Sequence, residues 1–401
     1  MRRELSAEMS AARIKHVDGL RALAVLSVLL YHATKTLPNS AWFSQGRHGV
    51  DLFFVISGFC LSYPVVSSIA RSGTAGLDIP SFFAKRVVRI VPPYFAAIVA
   101  FAVLTVALLA IRAPLPEMIT AISPLDILKQ FFFLDYNSNY SNGSFWTLAV
   151  EARWYLLFPL ILWLWVTRRK AFWLVAALSF FTYHFTRLGG AGFLSSPPGM
   201  DFATLPAFMF GIVAAEMHVR NDSRAAYAFL AMPALLLPTW LTHGGDAVQD
   251  SLDWQLISVA VVLTVGHYRM LGQIFSWKPL AFVGVASYSI YLYHEPILGT
   301  LEHVFHVAWP AAAAASLAAG ITAWYMVERR LQLSAIKNVW ATELKTPFVR
   351  FFRAFDLPQE TQLAGTAAVL VAPAKENSLS PQTVIKLAPQ FIGESPLHVT
   401  R

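Results

Sequence analysis

The sequence predicts an all-α, polytopic membrane protein, a bundle of about ten transmembrane helices, and three observations carry that prediction. Only 13% of the 401 residues are charged and 56% are hydrophobic, against about 25% charged in a typical soluble domain. Apolar runs approaching the roughly 20 residues needed to cross a bilayer recur along most of the chain. The connectors between them alternate in basic charge, as cytoplasmic and external loops do. The formal net charge of +8 is accounted for by those basic loops, so no nucleic-acid partner is expected. A single cysteine, Cys60, excludes an intrachain disulfide and reads as a small buried hydrophobe.

The runs fall near 20–36, 50–69, 91–112, 146–167, 171–188, 203–219, 225–242, 254–268, 280–299 and 308–327. The first follows Arg2 and Arg3 as the apolar core of a signal peptide would, but no small-residue cleavage site follows His32, and it is read as a retained span. One set of connectors holds Arg2, Arg3, Arg13 and Lys15, then Lys85, Arg86 and Arg89, then Arg168, Arg169 and Lys170, then Arg220 and Arg224, Arg269 and Lys278, and Arg329 and Arg330. The other set holds only Lys35, Arg47, Lys129 and Arg187. That asymmetry puts both termini in the cytoplasm, which an even number of spans requires. The longest external loop, 113–145, contains the polar, turn-rich DYNSNYSNGS, a candidate to face an external substrate or a plain connector. The transmembrane domain is placed at 1–331. Residues 332–401 read as a cytoplasmic tail, partly disordered. Within it, Trp340, Leu344, Phe348, Phe352 and Phe355 recur at helical spacing with Lys345, Arg350 and Arg353 between them, the pattern of a helix on an anionic membrane surface, bent at Pro347.

Four stretches hold the ionisable residues from which chemistry can be built. In DGLRALAVLSVLLYHA (18–33), Arg21 and His32 stand eleven residues apart. At about 100° and 1.5 Å per residue they project from one helix face, about 16 Å apart. Arg21 is placed near the cytoplasmic boundary and His32 deeper, toward the far side. A lone histidine inside a span is often hydrogen-bonded structure, but an imidazole withdrawn from water stays neutral, the state a general base needs. GVDLFFVISGF (49–59) opens the next span with Asp51 close to where His32 should be. Asp51 reads either as the carboxylate that fixes the imidazole tautomer or as an ordinary acidic helix start. In RVVRIVPPYF (86–95), Arg86 and Arg89 at i, i+3 suit a forked grip on phosphate, although basic residues are also the usual mark of a cytoplasmic loop. MVERRL (326–331) ends the last span with Glu328. The histidines show no metal-ligand spacing, so no metal is expected.

Taken together and in order, these segments with SFWTLAVEARWYLLFP (144–159) and ASYSIYLYHEPIL (286–298) resemble the acyltransferase-3 family of integral membrane acyltransferases, over nearly all of 16–331. The resemblance implies an O-acyltransferase that moves an acyl group, most often acetyl, from cytoplasmic acyl-CoA to a hydroxyl of a cell-surface or exported carbohydrate. No bound cofactor is implied, acyl-CoA being a substrate. The acceptors that fit are lipopolysaccharide, exopolysaccharide or a lipid-linked oligosaccharide, and the location that fits is a bacterial inner membrane. Matched residue by residue, it implies acyl-CoA binding by Arg21, Arg86 and Arg89, and catalysis by His32, as general base or transient acyl carrier, with Asp51 and Glu328. Arg330 stands where the family often has proline. Trp146, Glu151, Tyr288, Tyr291 and His294 match signature positions without an implied role. The competing expectation is a transporter or permease that uses intramembrane Arg, His and Glu as a substrate or proton path. It is weakened by the lack of a visible internal repeat.

Overall fold

The apolar runs fold as helices because lipid offers the backbone no other hydrogen-bond partner. A computed structural model of the chain describes residues 14–35, 37, 41–73, 76–113, 124–134, 142–188, 197–228, 230 and 250–330, and among these there is no β-strand. In chain order the helices are α1 (Lys15–Thr34), α2 (Gly49–Ser72), α3 (Ile79–Ala110), α4 (Pro124–Phe131), α5 (Phe145–Thr167), α6 (Arg169–Leu188), α7 (Pro197–Val219), α8 (Asp250–His267), α9 (Arg269–Phe275), α10 (Lys278–Val285), α11 (Ser287–Gly299) and α12 (Trp309–Ala323). Wider π turns follow α11 at Thr300–Val304 and α12 at Trp324–Glu328.

Among the described residues six helices are long and apolar enough to cross a membrane: α1, α2 with its lead-in turn Gln45–His48, α3, α5, the Asp201–Val219 part of α7, and α12 with its π turn. The break between α8 and α9 bends the chain by 104°, and the pair would add a seventh crossing if it is one span. The chain is an all-α polytopic membrane protein. Of the other predicted runs, 171–188 lies within α6, whereas 280–299 is split at Ala286 into α10 and α11. The run 225–242 lies almost wholly outside the described residues, as do loop segments 114–123 and 135–141 and the tail from 331 onward.

Local chemistry sets the helix ends. Asp78 caps α3 by accepting from the Ser81 N–H at 3.3 Å, with Pro80 in the first turn. Gly73 closes α2 with φ +71°, its N–H returning to the Ile69 carbonyl at 2.8 Å. Helix α2 packs against α7 through Gly58 and Gly211. A Cβ on Gly58 would strike the Phe208 carbonyl, and one on Gly211 the Val55 carbonyl. Small residues at both positions let the two backbones touch, the usual route to dispersion contact between helices in lipid.

The packing that positions the site is that of α1 against α11. Val25 and Val28 of α1 cluster with Ala286, Ile290 and Tyr291. One turn further on, Leu29 and Ala33 cluster with Leu298 and with Ala312 and Ala313 of α12. The α1 stripe 25, 28, 29, 33 and the α11 stripe 290, 291, 298 both follow helical periodicity. His32 falls on the first stripe and His294 on the second. The two histidines therefore meet between one apolar layer and the next.

Candidate active site

One end of α1 delivers an arginine into a cleft. The cleft encloses about 650 Å³ including its open mouth, and Arg21, Arg89, Glu151, Tyr155, Tyr288 and Tyr291 are among its walls. Arg21 and Arg86 both act on Arg89 as neighbouring positive charges, with Glu328 as a neighbouring negative one. The Arg86 guanidinium lies 5.9 Å from the centre of the Tyr155 ring, and its Nε is buried without a hydrogen-bond partner. Three guanidiniums from α1 and α3 thus converge. Facing them from α5, Glu151 accepts from Ser57 at 3.0 Å and from the Tyr155 hydroxyl. The Tyr288 hydroxyl donates to the Ile90 carbonyl at 2.9 Å, tying α11 to α3.

Glu328 lies in the π turn that ends the last span, only 2% exposed, and accepts from Ser289 at 2.7 Å. Wide turns of this kind recur at functional sites because they turn one side chain out of helical register.

Three turns along α1, His32 occupies a second cluster. Its Nδ1 is 3.4 Å from Oε1 of Glu295, with the two side chains 18% and 8% exposed. The His294 ring is 5.1 Å away and the Tyr31 ring 4.8 Å, both edge-on. Glu295 is seated from the other side by Ser144, whose hydroxyl donates to Oε2 at 2.8 Å. Neighbouring Asn142 donates to the Leu292 carbonyl at 2.6 Å. The seat favours Gly143, because a Cβ there would come within 2.7 Å of the Glu295 carboxylate and displace it. The last three residues of DYNSNYSNGS, 142–144, therefore hold the carboxylate beside His32. His32, His294 and Glu295 bring three potential ligand atoms within 4.8 Å of one another, a grouping that their spacing in the sequence does not announce.

The cleft and the histidine cluster are adjacent but not continuous. The cleft ends at Thr147 and Tyr291, whose hydroxyls bond at 2.9 Å, and His32 is not among its walls. The Tyr291 ring lies 5.5 Å from that of His294 on the far side.

The predicted residues thus divide. Arg21, Arg86 and Arg89 come together, with Glu328 beside them; His32 stands at the other end of the same helix. Asp51 does not meet His32. It stands in the first turn of α2 and pairs with Nδ1 of His48 at 2.8 Å, three residues earlier on the same face. The short lead-in turn supplies an imidazole closer than the one across the helix pair. The carboxylate beside His32 is Glu295, which the sequence reading did not select. Its signal was there, an acid inside the apolar run YSIYLYHEPIL, where ionisable groups are costly and usually face a partner.

An all-helical bundle of long apolar helices, with an arginine-lined cleft at one end of its first helix and a histidine–carboxylate cluster at the other, defines the class: a polytopic membrane protein. The family is then specific: a family model described as an acyltransferase domain of the acyltransferase-3 type matches residues 14–329, and the chain belongs to that family. It is similar to the O-acetyltransferase OatA of Staphylococcus aureus, 27% identical over 318 residues, which cover 70% of this chain and 50% of the relative. It is also similar to the peptidoglycan O-acetyltransferase OatA of Listeria monocytogenes, 25% identical over 343 residues, covering 74% and 51%. The chain spans about half the length of these curated relatives. No solved structure matches it.

Proposed function

We propose that this protein transfers an acyl group, acetyl first among the candidates, from cytoplasmic acyl-CoA to a hydroxyl of a carbohydrate on the other side of the membrane. The observation that carries the reading is the pairing on one helix of a guanidinium cluster and a histidine. Arg21 joins Arg86 and Arg89 at one end of α1, while His32 sits beside a carboxylate at the other. Coenzyme A is polyanionic. Arg21 and Arg89 in the cleft wall, with Arg86 beside them against Tyr155, supply the charge-assisted, forked contacts that phosphates take, and Tyr155 and Tyr288 line the same cleft. Glu328 sits among these cations as the donor-site carboxylate, limiting their mutual repulsion and available for proton exchange.

The thioester must travel from the cleft to His32. The Thr147–Tyr291 hydroxyl contact stands across that route and has to part when the donor enters. The imidazole then takes the proton of the acceptor hydroxyl as its oxygen attacks the thioester carbonyl, and returns it to the departing thiolate. Direct attack needs the reacting groups about 3–3.5 Å apart. The alternative, an acyl group carried briefly on His32, uses the same residue. The name of the Listeria relative gives its acceptor as peptidoglycan, which supports a carbohydrate acceptor for this protein. In this reading the guanidinium end lies at the cytoplasmic face of a bacterial inner membrane, with both termini on that side, as the basic connectors support.

The test is radiolabelled acetyl-CoA supplied to the purified protein in nanodiscs together with surface glycan from cells lacking it. Label should appear on glycan and vanish with His32→Ala. Substrate uptake into vesicles that ignores coenzyme A, or transfer that survives His32→Ala, overturns the reading.

A further inference from the structure

His294 carries an unexplained vacancy in its hydrogen bonding. The ring is completely buried, and its Nδ1 lies 2.7 Å from the Tyr291 carbonyl. A carbonyl can only accept, so Nδ1 carries the proton and Nε2 presents a bare lone pair. That lone pair has no partner, and neither has Nδ1 of His32. Buried polar atoms left single are rare and call for an explanation, often a ligand atom that belongs there. Around them stand Glu295, with Oε1 3.4 Å from His32 and Oε2 bonded to Ser144, and Lys35, with Nζ 4.0 Å from Oε1. The notch offers the His294 lone pair and the Glu295 carboxylate, both of which accept hydrogen bonds.

We propose that this notch is the acceptor subsite, that His294 is a second catalytic residue, and that Glu295 is the positioning residue for His32. The proposal rests on the acyl-transfer reading above. Glu295 accepts the Nδ1–H of His32 as the 3.4 Å contact shortens to hydrogen-bond length, roughly 2.9 Å, which leaves Nε2 of His32 as the base. The reacting hydroxyl has one proton and gives it to His32. It cannot also satisfy His294. Nε2 of His294 therefore takes a hydrogen bond from a second donor on the same acceptor, a neighbouring hydroxyl or an amide N–H. The substrate class follows: a sugar unit presenting two donors side by side, not an isolated alcohol. In the reaction the O–H bond breaks toward His32, the new C–O ester bond forms as the C–S bond breaks, and the imidazolium proton passes to the thiolate. Glu295 stays ionised and balances the imidazolium charge while it exists. Ser144, by holding Glu295, links this subsite to the loop that precedes α5.

The experiment uses cells lacking the gene and complemented with variants, with O-acyl content of their surface glycans read by mass spectrometry and acetyl-CoA affinity measured on each purified variant. His294→Leu should leave less than about one-tenth of the wild-type acylation, and His294→Gln, whose amide oxygen still accepts, should recover most of it. Glu295→Gln should lower transfer about tenfold and displace the acid limb of its pH profile in membrane vesicles, a readout that loss of packing would not move. Acetyl-CoA affinity should stay within about twofold throughout, which also shows that the variants fold. Wild-type acylation with His294→Leu, or equal loss with Leu and Gln, overturns the proposal. So does one zinc per chain retained after dialysis of the wild type and lost in His294→Leu, which would make the notch a metal site. If deleting the gene removes no acyl mass, it is the acyl-transfer reading that fails.

Discussion

The protein treats its arginines in two ways. Between α5 and α7, Arg153 is consumed by Asp201 in a forked pair with contacts of 2.6–3.0 Å. Nearby, Arg169 lies 3.9 Å over the Trp165 ring and shares Glu216 with Arg220 at 2.7 and 2.8 Å. In the cleft between α1 and α3 the arithmetic is different. Among the described residues no ion pair engages Arg21, Arg86 or Arg89, and the three repel one another. A guanidinium with its own carboxylate is closed structure, whereas Arg21 and Arg89 reach the cleft with Glu151 and Glu328 near them but no direct ion pair, so their hydrogen-bonding edges stay open to an anion. Binding sites commonly keep such local instability, and the rest of the fold compensates for it.

The difference can be broken by exchanging the outcomes. The largest effect is expected at Arg89. Arg89→Gln removes charge-assisted contacts to the donor's phosphates, about 1.5–3 kcal/mol each, so the acetyl-CoA KM should rise roughly 100-fold at the upper end of that range. Thermal stability should hold or increase, because a repelled cation has gone. A fall in melting midpoint with an unchanged donor KM would put Arg89 in the structural class. Next comes Arg153→Met, with the opposite signature. Removing one partner of a half-buried pair strands Asp201, and about 2 kcal/mol of destabilisation is expected, below the 3–5 of a fully buried pair because both side chains keep some solvent. The donor KM should not move, and the double variant Arg153→Met/Asp201→Leu should regain most of the loss. A smaller effect separates the two by salt. Between about 0.05 M and about 0.5 M ionic strength, donor affinity of the wild type should weaken several-fold while Arg89→Gln responds less, since the open cleft is screened and a closed pair is not.

Much of this was legible in the sequence, and what was missed has a physical reason. Helical spans follow from local hydropathy, so α1, α2, α5 and α12 begin and end near their apolar runs, whereas α3 begins at Ile79, well ahead of the run at 91–112. Helical periodicity set Arg21 and His32 on one face before any packing was known. Hydropathy is blind to direction, however. The 104° turn at Tyr268 and the split at Ala286 lie inside or between apolar segments that read as ordinary spans. Contact partners far apart in the chain are equally unreadable from one sequence. Asp51 was expected beside His32 because it opens the span that follows, but His48 captures it, and the carboxylate that reaches His32 lies on α11. The site is assembled by the packing of α1 on α11, which the stripes of Val28, Leu29, Ile290 and Leu298 determine only once both helices are in place.

A third kind of arginine marks the weak limit of the comparison. Arg224, exposed beyond the end of α7, forks onto Asp222 at 2.6–3.1 Å, and its side-chain hydrogen bond holds the Asp222 carboxyl below the usual carboxylate range. A carboxyl lowered in the folded state contributes stability that is present above its unfolded value, near about 4, and is lost as pH falls through the lower folded value. Between about pH 6 and about pH 3 the wild type should therefore lose slightly more of its melting midpoint than Asp222→Asn does. Because the pair is solvated, the difference should be the smallest of the series and should shrink further in high salt. If it instead matched the Arg153 effect, solvent exposure would not be what separates a decorative ion pair from a structural one in this protein, and the distinction drawn for the cleft would have to rest on ligand binding alone.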